Sequence, residues 1–447
     1  MIPANHTARI AERATSPWST KQTVYAFLLT ANPDPLTGSA YRIGRSTFEL
    51  EVRMRWSSAV DTDRSLDAAV ERAAESVFLG LGRKEPDLLI AFLSAHHAAR
   101  FEALPELVRR EFDGTMLFGC CAHGVIGGGR EIEDQPSVSL TGASLPGVKL
   151  KVAHFDAAQI PPVYAEPRVW EDTLRLTPNQ QPSFLVLADP FSFETETFLK
   201  GLDRVFPLAP KIGGLASGAR QPGGAALFVG NQVHRSGCAL LALTGNIEVD
   251  TIVAQGCRPI GDPMFVTAAH ENLIRELDGH SPRDVLADLF ERLPASDREA
   301  FSQSLFLGLA MRSDASQYVP GDFLIRNILG MDPQSGALWV NEHVPSNSVV
   351  QFHLRDAATS AHDLERMLTT YRVSHAVTND CGALLFSCEG RGMGLYGQAD
   401  HDSNAFRRLI SDIPIGGFFC AGEIGPVQNA TYLHGYTSAF AVFRERK

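Results

Sequence analysis

The apolar runs of this chain are short, and no other feature limits the possible folds as much. The longest, such as "LLIAFL" (88–93) and "CALLAL" (238–243), have the length of β-strands. No stretch approaches the roughly 18 uncharged apolar residues that a membrane-spanning helix needs. At 447 residues the chain also exceeds the size at which a single hydrophobic core stops growing. We therefore expect a soluble protein of two domains, without a membrane partner.

Three segments carry helix signals. Apolar residues recur at helical spacing over 63–80 and stop at two glycines. The segment 281–284, Ser-Pro-Arg-Asp, combines an N-cap serine, a proline at the first helical position and an acid in the first turn. Residues 360–363, Ser-Ala-His-Asp, repeat the capping pattern and predict a helix that starts there. A further helix is expected over 402–410.

Strand-like runs occupy much of the remaining chain, at 87–97, 114–119, 137–144, 148–155 and 183–188. The runs between 226 and 256 are separated only by Asn, Gly and His, which predicts antiparallel neighbours in one sheet. The stretch 265–279 has helical propensity, but its Asp-Gly end favours a β-hairpin. These patterns predict an α/β (α+β) fold, in which each domain is a mixed or largely antiparallel sheet covered by helices.

The chain divides into three parts by composition. Residues 1–53 lack sustained apolar periodicity, so they are either an extension or targeting peptide, or the result of a start placed upstream of the true one. We place a first domain at 54–262 and a second at 263–447. A short internal similarity, "CCAHGVIG" (120–127) against "CAGEIG" (420–425), suggests two related halves.

Charge and cysteine content narrow the function classes. The formal net charge is −11 and no Lys/Arg run occurs, which argues against a nucleic-acid partner. Seven cysteines, an odd number, are spread over the chain without a secretory signal. We therefore expect reduced thiols and a cytoplasmic protein.

Two glycine-flanked segments hold the strongest candidate site residues. In "FFCAGEIGP" (418–426) and "YLHGYTSAFAVF" (432–443), Glu423 and His434 stand alone among glycines and apolar residues. In "LLFSCEGRGMGLYG" (384–397), Cys388 and Arg391 follow a strand, and a nest of backbone amides with a guanidinium suits a carboxylate or phosphate. The alternative is that both segments are ordinary strand-end turns.

Two further segments place arginines among apolar residues. "QGCRPIG" (255–261) contains Cys257 and Arg258, and "GDFLIRNILG" (321–330) contains Arg326 and Asn327. An arginine embedded in an apolar strand must find an acidic partner or reach a cavity. Pairing with an acid is the structural alternative to ligand binding at both places.

Metal binding and catalysis receive less support from the sequence. Cys120, Cys121, His123 and His434 are candidate ligands, but no C-x-x-C or H-E-x-x-H motif occurs, so no metal site is predicted. A haem needs only one axial histidine and stays an alternative. Cys388 or Cys420 with His434 as base would supply covalent catalysis, but no catalytic residue is assigned and binding is favoured.

Taken together, these segments resemble the FIST family. Five segments match the FIST-N part in order: "MRWSSAV", "FGCCAHGVIGGGREIED", "IGGLASG", "QGCRPIG" and "ELDG". This part corresponds to the first domain, 54–262, and only the last segment, "ELDG" (276–279), lies beyond its end. "FLIRNILGMDPQSGAL", "VQFHLRDA", "LLFSCEGRGMGLYG", "HDSNAF" and "GGFFCAGEIGP…LHGYTSAFAVF" match the FIST-C part, within 263–447.

The resemblance implies a sensory protein that binds a small ligand, such as an amino acid or a small carboxylate. No output module accompanies the two parts, so signalling through a separate partner protein is implied. We expect Arg326 and Arg391 to hold a carboxylate and Glu423 to receive an ammonium. Asn327, Cys388, His434, Cys257 and Arg258 complete the expected ligand-binding set, without a cofactor.

Overall fold

The structure, a computed structural model, describes residues 53–446 apart from 313, 314, 316 and 320. The predicted N-terminal extension lies outside the described residues, except for its last position. Nine α-helices occur within the described part of the chain. They are α1 Leu66–Gly80, α2 Leu104–Glu111, α3 Pro167–Leu174, α4 Thr195–Val205, α5 Pro282–Arg292, α6 Ala295–Gln303, α7 Ala357–Ser374, α8 Gly392–Tyr396 and α9 His401–Leu409.

The strands outnumber the helices, and most are seven residues long or shorter. In chain order they are β1 Arg55–Asp61, β2 Leu88–Ser94, β3 Met116–Ala122, β4 Val125–Gly127, β5 Arg130–Ile132, β6 Val138–Ser144, β7 Val148–Phe155, β8 Ser183–Ala188, β9 Lys211–Leu215, β10 Leu227–Val229, β11 Gln232–His234, β12 Cys238–Gly245, β13 Glu248–Ala254, β14 Cys257–His270, β15 Leu273–Leu277, β16 Leu305–Ala310, β17 Phe323–Met331, β18 Leu338–Val340, β19 Val349–Arg355, β20 Gly382–Cys388, β21 Ile415–Cys420, β22 Glu423–Val427, β23 Ala430–His434 and β24 Ser438–Arg444.

Three six-stranded sheets share one topology. Their strand orders are β1-β6-β2-β3-β10-β11 in sheet 1, β7-β12-β8-β9-β22-β23 in sheet 2 and β13-β24-β20-β21-β4-β5 in sheet 3. In each sheet the third and fourth strands are parallel, and the other neighbours are antiparallel. The fold is therefore α/β with mixed sheets, as the sequence predicts.

The same order of elements generates each sheet. Unit 1 (55–144), unit 2 (148–245) and unit 3 (248–444) each run strand, helix, strand, helix, strand, hairpin, strand. The hairpin of each unit leaves its own sheet: β4–β5 joins sheet 3, β10–β11 joins sheet 1 and β22–β23 joins sheet 2. The three units thus form a closed cycle of exchanged hairpins. The internal similarity seen in the sequence marks equivalent strand-to-hairpin crossovers in units 1 and 3.

A glycine repeats at one position of the fourth strand of every sheet. A Cβ atom there would overlap the carbonyl oxygen of the parallel neighbour and lie 2.7–2.8 Å from its carbonyl carbon. Only glycine lets the two backbones approach this closely. The pairs are Gly119 with Ala91, Gly213 with Val186 and Gly417 with Leu385.

A closed barrel interrupts unit 3 between β13 and α7. Its strand order is β14-β15-β18-β17-β16-β19, and it encloses an apolar core that includes Val266, Ile274, Leu307 and Phe352. The predicted hairpin is confirmed, because β14 and β15 pair antiparallel. The boundary that we placed at 262 falls inside β14, and sheets 2 and 3 each contain strands from both sides of it.

Several local predictions are confirmed. The helix predicted over 63–80 is α1, and Ser65 caps it by accepting the Ala68 N–H at 3.5 Å. Ser281 accepts the Asp284 N–H at 3.2 Å, so α5 begins with the expected capping residues. Helix α9, His401–Leu409, matches the further helix predicted over 402–410.

The predicted start of α7 is wrong by one turn. The N-cap is Asp356, whose Oδ1 accepts the Thr359 N–H at 2.7 Å, and not Ser360. Ser360 lies inside the helix, buried, and its hydroxyl donates to the Gly256 carbonyl oxygen at 2.7 Å. Aspartate and serine both cap helices, so the sequence pattern does not tell which of the two begins this one.

The strands between 226 and 256 are not neighbours in one sheet, contrary to the prediction. The hairpin β10–β11 lies in sheet 1, β12 in sheet 2 and β13 in sheet 3. Both edges of β12 are occupied by β7 and β8, so β13 cannot pair with it and joins β24 instead. A short connection between two strands therefore does not make them a hairpin here.

Candidate functional site

The candidate site lies where β20 and β21 end, because most of the predicted site residues meet there. Ligand sites in α/β folds commonly lie outside the carboxyl ends of parallel strands. The loop after β20, residues 389–397, runs along this edge, and the barrel strands β14, β17 and β19 bring Cys257, Asn327 and Arg355 to it. The site therefore joins unit 3 to its inserted barrel.

Arg391 is fully buried and holds a charge pair inside the site. Its Nε and Nη2 donate to the two carboxylate oxygens of Asp402 at 2.8 and 3.1 Å. Burial raises the pKa of Asp402, but the Arg391 guanidinium and the hydrogen bond from His401 outweigh it and hold that pKa below its usual value. The Nη1 of Arg391 has no hydrogen-bond partner among the described residues. Two of the five N–H donors of this buried guanidinium, both on Nη1, thus have no partner among the described residues.

Glu423 is also fully buried, and only one of its oxygens is used. Oε2 accepts the Thr437 N–H at 3.0 Å, whereas Oε1 has no partner among the described residues. Burial raises the pKa of Glu423 to about 8, although the nearby Arg391 and Arg355 lower it. The side chain is therefore mostly protonated at neutral pH.

Cys388 and Cys420 are neighbours across β20 and β21, close to Glu423. Burial, followed by the Glu423 carboxyl, raises the pKa of Cys388 to about 12, and burial raises that of Cys420 well above its usual value. Burial likewise raises the pKa of Cys257 to about 12. A nucleophilic cysteine needs a lowered pKa, so these thiols resemble packing residues.

Three residues of the site were not singled out from the sequence. Arg355 donates from Nη2 to the Gly390 carbonyl oxygen at 2.7 Å, and its guanidinium lies 4.8 Å from the Tyr436 ring centre. The Tyr436 hydroxyl donates to Asn327, and the guanidinium of Arg391 lies 5.5 Å from the Tyr396 ring centre. Arg355 and the two tyrosines lie in segments that carry the family resemblance, but no feature of those segments marks them individually, so only proximity identifies them.

Nε of Arg355 and the hydroxyl of Tyr396 are buried without a partner among the described residues. With Nη1 of Arg391 and Oε1 of Glu423, four unpaired polar atoms belong to this cluster. Buried polar groups are nearly always hydrogen-bonded, because an unpaired one costs roughly 1–3 kcal/mol. The concentration of unpaired atoms indicates a ligand site.

Arg326 and His434 are engaged by other partners, although His434 is the register partner of Glu423 and Arg326 precedes Asn327. The guanidinium of Arg326 donates to Glu342 at 2.8 Å from Nε and to Glu196 at 3.0 Å from Nη2. His434 bonds the Gly425 carbonyl oxygen through Nε2 at 3.0 Å, and burial lowers its pKa to about 4. Arg326 is therefore occupied by acids, and His434 is neutral and engaged with the backbone.

Arg258 ties the barrel to two helices. It donates to both carboxylate oxygens of Asp297 at 3.0 and 2.9 Å and, from Nε, to Asp356 at 3.2 Å. Asp297 lies in α6 and Asp356 caps α7. These partners satisfy the guanidinium, in line with the structural alternative considered for it.

The repeated units provide an internal comparison for Glu423. Its register partner in sheet 2 is Gly214, next to the conserved position of the glycine repeat. At the equivalent hairpin position unit 1 has Val125 and unit 2 has Leu227. The fold therefore builds this buried position with an apolar side chain twice, and an acid there is not needed for folding.

A cavity of about 760 Å³ opens elsewhere, between two loops of unit 2 and strand β13. Most of its charged lining is paired within the chain: Arg444 donates to Asp250 at 2.7 Å and Arg446 donates to Gln181 and Ile247, although Nε of Arg446 has no partner among the described residues. None of the site residues predicted from the sequence lines it. We place the candidate site at the buried cluster because several polar atoms of that cluster lack partners among the described residues. A residue that lines the cavity serves as the control in the binding experiment proposed below.

Two further findings concern metals and membranes. Among residues 53–446, within the described part, no three His, Cys, Asp or Glu side chains are grouped to hold a metal ion. None of the described helices is long and apolar enough to cross a membrane.

Comparisons with known proteins place the chain in a family. The model of the FIST N domain matches residues 87–280 and that of the FIST C domain matches residues 283–426. An uncharacterized protein of Mycobacterium tuberculosis is 34% identical over 391 residues, covering 87% of this chain and 98% of its own. Another from Mycobacterium bovis is 33% identical over 385 residues, covering 86% and 96%. A crystal structure of a cyanuric acid hydrolase from A. caulinodans covers 88% of this chain at 9% identity and a TM-score of 0.34, and we take no function from it.

Proposed function

The chain belongs to the FIST family of sensory and ligand-binding domains, and from this we propose that it senses a small carboxylate, such as an amino acid, at the buried cluster. The cluster consists of Arg391, Arg355, Glu423, Tyr396 and Tyr436. The observation that carries the proposal is a pair of polar atoms on fully buried side chains, Nη1 of Arg391 and Oε1 of Glu423, that have no partner among the described residues.

A carboxylate fits the two guanidinium groups of the cluster. Arginine presents a planar set of N–H donors that matches a carboxylate, and such charge-assisted bonds are about twice as strong as neutral ones. Nη1 of Arg391 and Nε of Arg355 are the donors that the protein leaves free. The role first expected for Arg326 passes to Arg355, because Glu342 and Glu196 occupy Arg326.

Glu423 gives the site a preference among carboxylates. Its free Oε1 would accept a hydrogen bond from the ammonium of an amino acid, which would shift Glu423 toward its ionised form. A simple carboxylate would leave Glu423 protonated. We expect amino acids to bind more tightly than acetate, with release of a proton near neutral pH, because the pKa of Glu423 is about 8 before binding.

The two alternative functions find less support in the site. A cysteine-dependent enzyme needs a thiolate beside a base, but the pKa values of Cys388 and Cys420 are raised and His434 bonds the backbone. A haem sensor needs a histidine free for the iron, and His434 is engaged with Gly425. Both stay testable by thiol labelling and by the Soret band of protein incubated with haemin.

Signal output and location are part of the same proposal. We propose that a separate protein reads the ligand-bound state. All seven cysteines are unpaired, as is usual in reducing compartments. On this ground we propose a cytoplasmic location.

Calorimetric titration of the full chain with the twenty amino acids and with acetate tests the proposal. Glu423→Gln keeps the shape and the bond to Thr437 but cannot ionise, so the affinity for the best amino acid should fall at least tenfold. Glu248→Gln, in the lining of the 760 Å³ cavity, is the matched control and should change little.

Two outcomes would contradict the proposal. Binding that is weakened by Glu248→Gln and not by Glu423→Gln would move the ligand to the cavity. Absence of any heat with wild-type protein that melts cooperatively would exclude amino acids and acetate as ligands.

A further inference from the structure

Strand β5 of unit 1 reaches across the molecule to the loop that carries Arg391. It forms the edge of sheet 3, beyond β21 and β4. Its residues lie within the matched FIST N domain, whereas the loop lies within the matched FIST C domain. The contact therefore joins the two sequence domains next to the proposed site.

Glu133, just after β5, holds the beginning of α8. Its Oε1 accepts the Met393 N–H at 2.9 Å. Gly392 has a φ of +63°, and a Cβ atom there would lie 2.7 Å from the Cδ of Glu133. The Glu133 carboxylate thus packs against Gly392, the residue that follows Arg391. A shift of Glu133 would therefore displace Gly392 and, with it, Arg391.

Glu131 holds the start of α9 in the same way. The side chain is 5% exposed, and its Oε1 accepts the Ser403 N–H at 2.7 Å. Its own N–H donates to Oδ1 of Asp400 at 2.6 Å. These bonds flank Asp402, the partner of Arg391. Burial and then the Asp402 carboxylate raise the pKa of Glu131 to about 8, so glutamine mimics its neutral form at pH 7.

The repeated units show that sheet 3 does not need an acid at this position. Glu131 is the register partner of Ile126 in its hairpin. The equivalent residues of the other hairpins are Val233 in unit 2 and Leu433 in unit 3. A buried glutamate replaces an apolar residue only in the hairpin that contacts the loop of the proposed site.

We propose that Glu131 and Glu133 are positioning residues, which fix residues 391–403 and thereby couple the FIST N domain to ligand binding in the FIST C domain. The part that concerns the ligand rests on the proposed function. The part that concerns the loop does not, because it is measurable without any ligand.

Hydrogen exchange by mass spectrometry of the full chain tests the loop. In Glu131→Leu, which installs the residue of the unit 3 hairpin, the Ser403 amide loses its acceptor, and exchange over 398–406 should accelerate about tenfold. In Glu133→Ala, exchange over 391–397 should accelerate by a similar factor. Glu131→Gln and Glu133→Gln keep an acceptor oxygen and should restore protection. Glu389→Gln, an exposed change on the same loop, is the control and should leave both peptides unaffected.

The melting temperature separates positioning from a merely structural role. It should stay within a few degrees of wild type in every variant, since the fold uses Val or Leu at the Glu131 position elsewhere. Unchanged exchange over 391–406 in both Glu131→Leu and Glu133→Ala would overturn the proposal. So would faster exchange spread over all three units.

Titration with L-alanine, L-glutamate and acetate then tests the coupling. Where wild type binds one of them, Glu131→Leu and Glu133→Ala should weaken it about tenfold and the glutamine variants should restore it. Equal affinity in all variants, despite a loosened loop, would overturn the coupling. If wild type binds none of the three, the proposed ligand class fails, whereas the exchange result still decides whether the two glutamates hold the loop.

Discussion

Replacing Glu423 by glutamine should stabilise the protein, by an amount that grows with pH. The carboxyl has a pKa of about 8 in the folded chain and an ordinary value of 4.5. Because the folded-state pKa is the higher one, stability is greatest below pH 4.5 and is lost as the pH rises toward 8. Glutamine cannot ionise, so the variant avoids this loss.

The magnitude follows from the two pKa values. One pKa unit corresponds to about 1.36 kcal/mol of free energy. From 4.5 and about 8, Glu423 lowers the free energy of unfolding by about 1 kcal/mol at pH 5, about 3 kcal/mol at pH 7 and about 5 kcal/mol at pH 8.5. The difference between Glu423→Gln and wild type should trace these values.

Urea unfolding at the three pH values measures this difference directly. Glu75→Gln, on the exposed side of α1, serves as control, since it removes a glutamate without changing a buried charge. A difference between Glu423→Gln and wild type that is flat with pH, or a variant less stable than wild type at pH 8.5, would refute the view that Glu423 is a buried acid whose ionised form the protein leaves unpaired.

Three further predictions follow from other contacts. Asp402→Asn leaves the buried Arg391 without a charged partner and should lower the free energy of unfolding in urea by about 3–5 kcal/mol. The control Asp412→Asn removes an exposed carboxylate and should cost about 1 kcal/mol or less. Equal effects of the two substitutions would show that the buried pair contributes no more than an exposed one. Gly213→Ala forces a Cβ into the β8 backbone and should lower the free energy of unfolding by about 3 kcal/mol. The control Gly394→Ala should have little effect, because a Cβ there meets open space. If Gly213→Ala is tolerated, the two parallel strands can separate. Cys388 should react with iodoacetamide at pH 7.5 at least a hundredfold more slowly in the native than in the unfolded chain; rapid native labelling would instead favour a catalytic thiol.

Local sequence signals were most informative where short-range chemistry decides the outcome. The capping residues before α5 act over three or four residues, so reading them correctly needs no partner from elsewhere in the chain. The β14–β15 hairpin was also predicted, although its turn is Glu271-Asn272 and the Asp278-Gly279 pair follows β15. The start of α7 was missed by one turn because Asp356 and Ser360 are both good caps.

Sheet membership could not be read in the same way. The runs between 226 and 256 look like consecutive neighbours, yet they complete three different sheets. Each unit donates its hairpin to another unit, and this exchange depends on which strand edge is free when the units pack. No local sequence pattern shows which strand edge will be free to accept a hairpin.

The same distinction between local signals and long-range contacts applies to the candidate site. The sequence by itself singled out Arg391 and Glu423, which both lie in the buried cluster, because a charged residue between glycines and apolar strands has few structural uses. Cys388 was singled out for the same reason and lies close to Glu423, but its raised pKa makes it resemble a packing residue. Only the tertiary structure showed that Arg326 and Arg258 form ion pairs with acidic side chains. It also showed that Arg355, Tyr396 and Tyr436 belong to the buried cluster.

The physical reason is the range of the interactions. Helix caps, turns and the alternation of apolar residues are fixed by contacts a few residues apart, so the sequence determined the fold class and most elements. Ion-pair partners and unpaired buried atoms depend on residues more than a hundred positions away, such as Glu196 with Arg326 or Glu131 with Ser403. Which charges are satisfied, and which polar atoms are left without a partner among the described residues, was decided only when the three units and the barrel came together.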